Sequence, residues 1–146
     1  MANVIFKGTV ETKNGLTVDC NAREFSFTLD EPNELGGNNQ GMNPVEALLN
    51  SLGACKAIVA KSFAPMKGVK FNSLKIELEG TLDPDGFTGK NPDAKIGLSK
   101  IHTKYTFDSD ETEEKLREFV DFMEHTCPVM DTIVNAPEFT DEIIKK

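Results

Sequence analysis

At 146 residues, with 24 acidic against 16 basic side chains and a net charge of -8, the chain has the size of one domain and the wrong sign for phosphate backbones or anionic membranes. No run reaches the roughly 18 to 20 apolar residues of a bilayer span, and the N-terminus lacks a basic region followed by an apolar run and cleavage site. Three cysteines are an odd count in a chain that can fold without staples, so a cytoplasmic protein with packing or working thiols is expected, one domain over 1–146, without nucleic-acid or membrane partners.

Val4 to Val10, Leu16 to Cys20 and Phe25 to Leu29 read as three short strands of an antiparallel meander. Asn14-Gly15 signals a two-residue type I′ hairpin, because both residues tolerate positive φ. Asp30 to Gly41, rich in Pro, Gly and Asn, is expected to be a surface loop. Asn43-Pro44-Val45-Glu46 then forms a helix start: Asn caps, Pro sits where its missing N–H costs nothing, and Glu reaches back to the cap. The helix is expected to run to Ala64 and stop at Pro65, with Leu48, Leu49, Leu52, Cys55, Ile58, Val59 and Phe63 on its apolar stripe and Lys56 and Lys61 off it.

Val69 to Glu79 alternates Leu74, Ile76 and Leu78 with charged residues, as a half-buried strand does, and a second strand is expected over Ser99 to Phe107. The Gly-, Pro- and Asp-rich stretch Leu82 to Gly97 between them reads as an exposed connection, with a short element of its own left open. Asp110-Glu111-Thr112-Glu113 opens an amphipathic helix through His125. Cys127-Pro128 starts a short helix to Val134, and Glu138 to Ile144 is a candidate edge strand. The fold class is α+β.

The cysteines differ in setting. Cys55 lies on the apolar stripe, where the ordinary reading is a packed thiol. Cys127 sits at a helix entrance, where unpaired N–H groups and the helix dipole favour a thiolate, against the ordinary reading of a modest cap. Cys20, in a strand, reads as structural. His102 and His125 have no metal-ligand spacing, so no metal is expected. A Cys127 and His125 nucleophile pair has no third orienting residue in view. Glu46 precedes Cys55 by nine positions, which in a straight helix turns it about 180° away and about 13 Å along the axis, so it reaches a thiol only if another subunit brings it over.

Leu35-Gly36-Gly37, Asn43-Pro44-Val45-Glu46-Ala47-Leu48-Leu49, Leu52-Gly53-Ala54-Cys55, and Cys127-Pro128-Val129 after an acidic helix occur in an order that resembles the OsmC/Ohr family, the osmotically inducible and organic-hydroperoxide-resistance proteins. The resemblance implies an OsmC-like fold: antiparallel sheets packed on long central helices in an intertwined homodimer, with sites at the subunit interface. It implies a thiol-dependent hydroperoxide reductase of oxidative-stress defence that needs no cofactor. Cys55 would attack the peroxide, Cys127 would resolve the sulfenic acid to a disulfide, and an external dithiol, in family terms often a lipoyl protein, would reduce that bond. Better-studied members carry an acidic residue where this chain has Val45, and Glu46 matches the less-studied branch. Where some members have arginine before the Glu-Leu-Gly-Gly run, this chain has Asn33. Arg23, ordinarily read as a solvated strand arginine, is then the candidate for the activating cation. The rival is a non-catalytic dimer that binds a small apolar ligand at its interface while both thiols merely pack.

Overall fold

The computed structural model describes residues 2–146, which form two compact units, one ending at Asn50 and the other Ser51–Lys146. In the first unit, β1 (Thr9–Thr12), β2 (Val18–Ala22) and β3 (Phe25–Leu29) make the expected antiparallel meander, in that order across the sheet. Its first turn corrects the hairpin expectation. Lys13 N–H donates to the Thr17 carbonyl at 2.9 Å, and of Asn14, Gly15 and Leu16 inside that pair only Gly15 takes a positive φ, 61°. Asn14 keeps a negative φ, so the turn is not type I′ and β2 starts later than Leu16. The tight two-residue turn is instead Arg23-Glu24, flanked by the Ala22 and Phe25 pair, with Arg23 at φ 55°. Val4 to Gly8 lie outside β1 and are exposed.

The loop after β3 is organised by Asp30, which is 2% exposed. Its carboxylate accepts the Thr17 hydroxyl at 2.7 Å and the N–H groups of Glu31 (2.8 Å), Asn38 (3.3 Å) and Gln40 (3.3 Å). Burial alone would raise its pKa, but these four bonds outweigh it and hold the carboxyl below its usual range. The Leu35-Gly36-Gly37 motif fits this loop for steric reasons: Gly36 sits at φ 88°, and a Cβ on Gly37 would overlap the Glu31 carbonyl.

Helix α1, Pro44–Lys67, starts as the sequence predicts. Asn43 Oδ1 accepts the Glu46 N–H at 2.8 Å while Glu46 Oε2 accepts the Asn43 N–H at 2.9 Å, a full capping box. Its end does not fall at Ala64. Pro65 occupies the last turn, where one missing N–H is tolerable, and Gly68 (φ 63°) closes the helix: Val69 N–H donates to Ala64 and Gly68 N–H to Pro65, the Schellman pattern.

In the second unit, β4 (Ser73–Thr81) and β5 (Lys100–Asp108) pair antiparallel without a bulge from Ser73↔Asp108 to Thr81↔Lys100. The connection between them is largely exposed and holds one short helical turn, α2 (Pro84–Phe87), capped by Asp83. Helix α3 (Glu113–Thr126) is capped by Thr112, and α4 (Pro128–Val134) by Cys127. The core gathers Val59, Ala60 and Ala64 of α1, Val69, and Phe119, Val120 and Met123 of α3, with the aromatic rings of Phe63, Phe71, Phe107 and Phe122 around them. Gly53 brings α1 close to the sheet, since a Cβ there would stand 2.6 Å from Leu78 Cδ1. Glu138 to Ile144 form no strand among the described residues and are exposed. The α+β class with antiparallel sheets and a long helix holds.

Candidate functional site: two facing thiols

The α1 face buried in the second unit is Leu52, Gly53, Lys56, Val59, Ala60 and Ala64, which shifts the expected stripe: Ile58 is exposed and Lys56 is inside. Cys55 lies at the margin of this face and is half-buried. Cys127, 1% exposed, stands at the junction of α3 and α4, one residue in extended backbone (φ -78°, ψ 114°) between two helices. At the start of α4 the N–H groups of Val129 and Met130 have no helical partners, and both turn to sulfur. Met130 N–H donates to Cys127 Sγ at 3.3 Å. Val129 N–H is directed at Cys55.

The structure thus sets the two thiols near enough to act on one another across 72 positions of sequence, and both are free. Burial pushes the Cys55 thiol above its ordinary pKa, and the neighbouring Cys127 adds to the rise. The Val129 N–H pulls the other way and is outweighed.

The remaining candidates have partners of their own. The Glu46 carboxylate is engaged in the α1 capping box. Arg23 lies in the β2–β3 turn, 3.9 Å from Glu24 and 4.9 Å from the centre of the Phe25 ring, with a largely exposed side chain. Cys20 is buried in the meander opposite Phe27. His125 donates from Nδ1 to the Asp121 carbonyl at 2.7 Å in its own helix, and among the described residues no histidine is bonded to Cys127.

One group near the thiols was not visible in the sequence. Lys56, the residue after Cys55, is 2% exposed, and its Nζ lies 3.5 Å from Glu124 Oε1. The Tyr105 hydroxyl donates to the same oxygen at 3.1 Å, and the Lys56 ammonium sits 5.6 Å from the centre of the Tyr105 ring. Hydropathy assigns a lysine to the surface, and its partner is 68 residues away, so no local signal existed. Lys56 and Glu124 also line a cleft of about 410 Å³ whose wall is half apolar, with Leu52, Ile101, Met130 and Ile133, and half polar, with Ser99, Lys100, His102 and Thr103 beside the pair.

An α+β fold with two cysteines meeting at a helix entrance defines a dithiol protein. Residues 37–142 match the model of the OsmC-like protein family, and the chain belongs to that family. A relative in Mycoplasma genitalium is 29% identical over 125 residues, 84% of this chain and 82% of that one. Another in Mycoplasma pneumoniae is 31% identical over 112 residues, 75% of this chain and 73% of that one. Both relatives are named hydroperoxide reductase. The crystal structure of an OsmC-like protein from Mycoplasma pneumoniae superposes with a TM-score of 0.81 at 25% identity, covering 92% of this chain and 91% of that chain. Among the described residues no helix is long and apolar enough to cross a membrane.

Proposed function

We propose that this protein is a thiol-dependent hydroperoxide reductase in which Cys55 attacks and Cys127 resolves. The observation that carries the reading is the meeting of the two sulfurs at the α4 entrance, with one backbone N–H directed at each. The Cys55 thiolate displaces on the peroxide O–O bond; the S–O bond forms as the O–O bond breaks, and the alkoxide leaves as alcohol after taking a proton. Cys127 then attacks the Cys55 sulfenic acid, forming the disulfide and releasing water. An external dithiol restores both thiols by exchange, so no bound cofactor is required. The nucleophile starts as a thiol in an apolar setting, and the small thiolate fraction carries the reaction.

The apolar side of the cleft, at Leu52, Met130 and Ile133, supports organic hydroperoxides as substrates, since an alkyl tail gains binding energy by burial. A homodimer is supported by apolar side chains that the single chain leaves uncovered, among them Phe6 (91% exposed), Ile58 (65%) and Ile143 (93%). The family match runs through the end of one unit and nearly all of the other, which supports reading the chain as one domain. The same cleft fits a second reading, an apolar-ligand carrier whose thiols only pack. Reduced protein mixed with an alkyl hydroperoxide separates the two: the reductase forms a Cys55–Cys127 disulfide and loses peroxide consumption on Cys55→Ser, whereas the carrier does neither.

A further inference from the structure

A buried lysine needs a reason. Ammonium groups are almost never fully buried unless paired, and the packing of α1 on β4 and β5 would accept a leucine or methionine at position 56 at no such cost. The pairing joins the two cysteine-bearing segments. Lys56 is the residue next to Cys55, and Glu124 is three residues before Cys127, in the last turn of α3. Tyr105 of β5 donates to the carboxylate oxygen that also faces Lys56, so α1, the sheet and α3 are fixed to one another at a single atom.

We propose that Lys56, Glu124 and Tyr105 form a tether that positions Cys127 for attack on the Cys55 sulfenic acid. The inference rests on the reductase reading and adds to it the residues that set the second step. In that step Cys127–SH and Cys55–SOH give the disulfide and one water: the S–S bond forms, the S–O bond breaks, the thiol sulfur is oxidised and the sulfenic sulfur reduced. The thiol proton leaves with the hydroxide. A disulfide requires the two Cα atoms within about 4.4 to 6.8 Å and a narrow torsion. Cys127, in extended backbone between two helices, is held from the α4 side by the Asp131 N–H on its carbonyl at 3.0 Å and the Met130 N–H on its sulfur, and from the other side by the last turn of α3, which Glu124 ties to Lys56. Burial and the Glu124 carboxylate push the Tyr105 phenol upward, so it stays a neutral donor throughout the working range. The three side chains are positioning residues; none is assigned contact with the peroxide oxygens.

The test is rapid-quench mass spectrometry of reduced protein mixed with a stoichiometric alkyl hydroperoxide, with a sulfenic-acid trap, reading sulfenic acid, disulfide and sulfinic acid on Cys55 over time. Lys56→Met and Glu124→Gln are expected to lower the ratio of disulfide formation to sulfenic-acid formation at least about tenfold, because a misplacement near 1 Å costs an oriented step up to about a hundredfold. Sulfinic acid should accumulate in both. Because either single variant leaves a charge unpaired and can misfold, the double variant Lys56→Met/Glu124→Gln is included. It removes the pair as a whole, so that no charge is left buried at position 56, is expected to melt close to the parent, and should still resolve slowly. Lys56→Arg, which keeps the cation, should recover the ratio to within about threefold. A double variant that folds and resolves at the parental ratio overturns the tether while leaving the reductase reading intact. A parent that consumes peroxide without any Cys55–Cys127 disulfide overturns both.

Discussion

Val129→Pro removes the backbone N–H that favours the Cys55 thiolate. Position 129 is the second residue of α4, whose first N–H groups have no intrahelical acceptor, so a proline there deletes the donor directed at Cys55 without deleting a helical hydrogen bond. Hydrogen bonds to a charged group are worth about 1.5 to 3 kcal/mol, and about 1.4 kcal/mol is tenfold in an equilibrium, so losing this one should push the Cys55 thiol further up and cut its thiolate about tenfold. The sign follows from the N–H bonding the thiolate better than the thiol. Since burial already places Cys55 above its ordinary range, the thiolate fraction at pH 8 should fall about tenfold in proportion. The assay is alkylation of Cys55 by iodoacetamide followed by peptide mass spectrometry across pH 7 to 10. The parent rate should still climb above pH 9, and the variant should trail it about tenfold at pH 8. Val129→Ala, which keeps the N–H, should follow the parent. A Val129→Pro curve that superposes on the parent, with the fold intact by circular dichroism, would refute the assignment of that N–H to Cys55.

Asp30 makes stability depend on acid. Its folded pKa is depressed, so the stability it contributes is fully present above the unfolded carboxyl range, near pH 4, and is lost as pH falls through the folded value. Urea midpoints from pH 7 to 2.5 should therefore fall more steeply for the parent than for Asp30→Asn, and parallel curves would count against the four-bond clamp. Gly37→Ala should destabilise by about 1 to 3 kcal/mol, because the new Cβ meets the Glu31 backbone carbonyl and not a side chain that can swing away. Met123→Ala should cost about 2 to 5 kcal/mol in a denaturant titration, since Met123 is 0% exposed amid the aromatic core.

What the sequence makes legible is local. The starts of α1 and α4 are written in side chains that bond backbone within three residues, Asn43 with Glu46 and Cys127 with Met130, and each cap forms as read. The alternation of Leu74, Ile76 and Leu78 likewise finds its sheet partners. Cys55 and Cys127 are recognisable by motif, but their approach depends on how α3 returns to α1, which no short-range pattern encodes. Lys56 fails for the same reason in reverse: read alone it belongs on the surface, and only Glu124 and Tyr105 make its burial tolerable. The helix runs past Pro65 to Lys67, three residues beyond the expected end, because the closure comes from Gly68. Asp30 falls in a stretch with the composition of a surface loop, whereas its side chain is the buried centre around which that loop folds.

The central claim is that Cys55 and Cys127 act as one dithiol on a peroxide. Reduced protein titrated with one equivalent of an alkyl hydroperoxide should lose two thiols per chain, consume the equivalent, and yield a tryptic disulfide joining the Cys55 and Cys127 peptides, with Cys127→Ser halting at the Cys55 sulfenic acid. A Cys55→Ser variant that consumes peroxide as fast as the parent, or a parent that retains all its thiols, would contradict it.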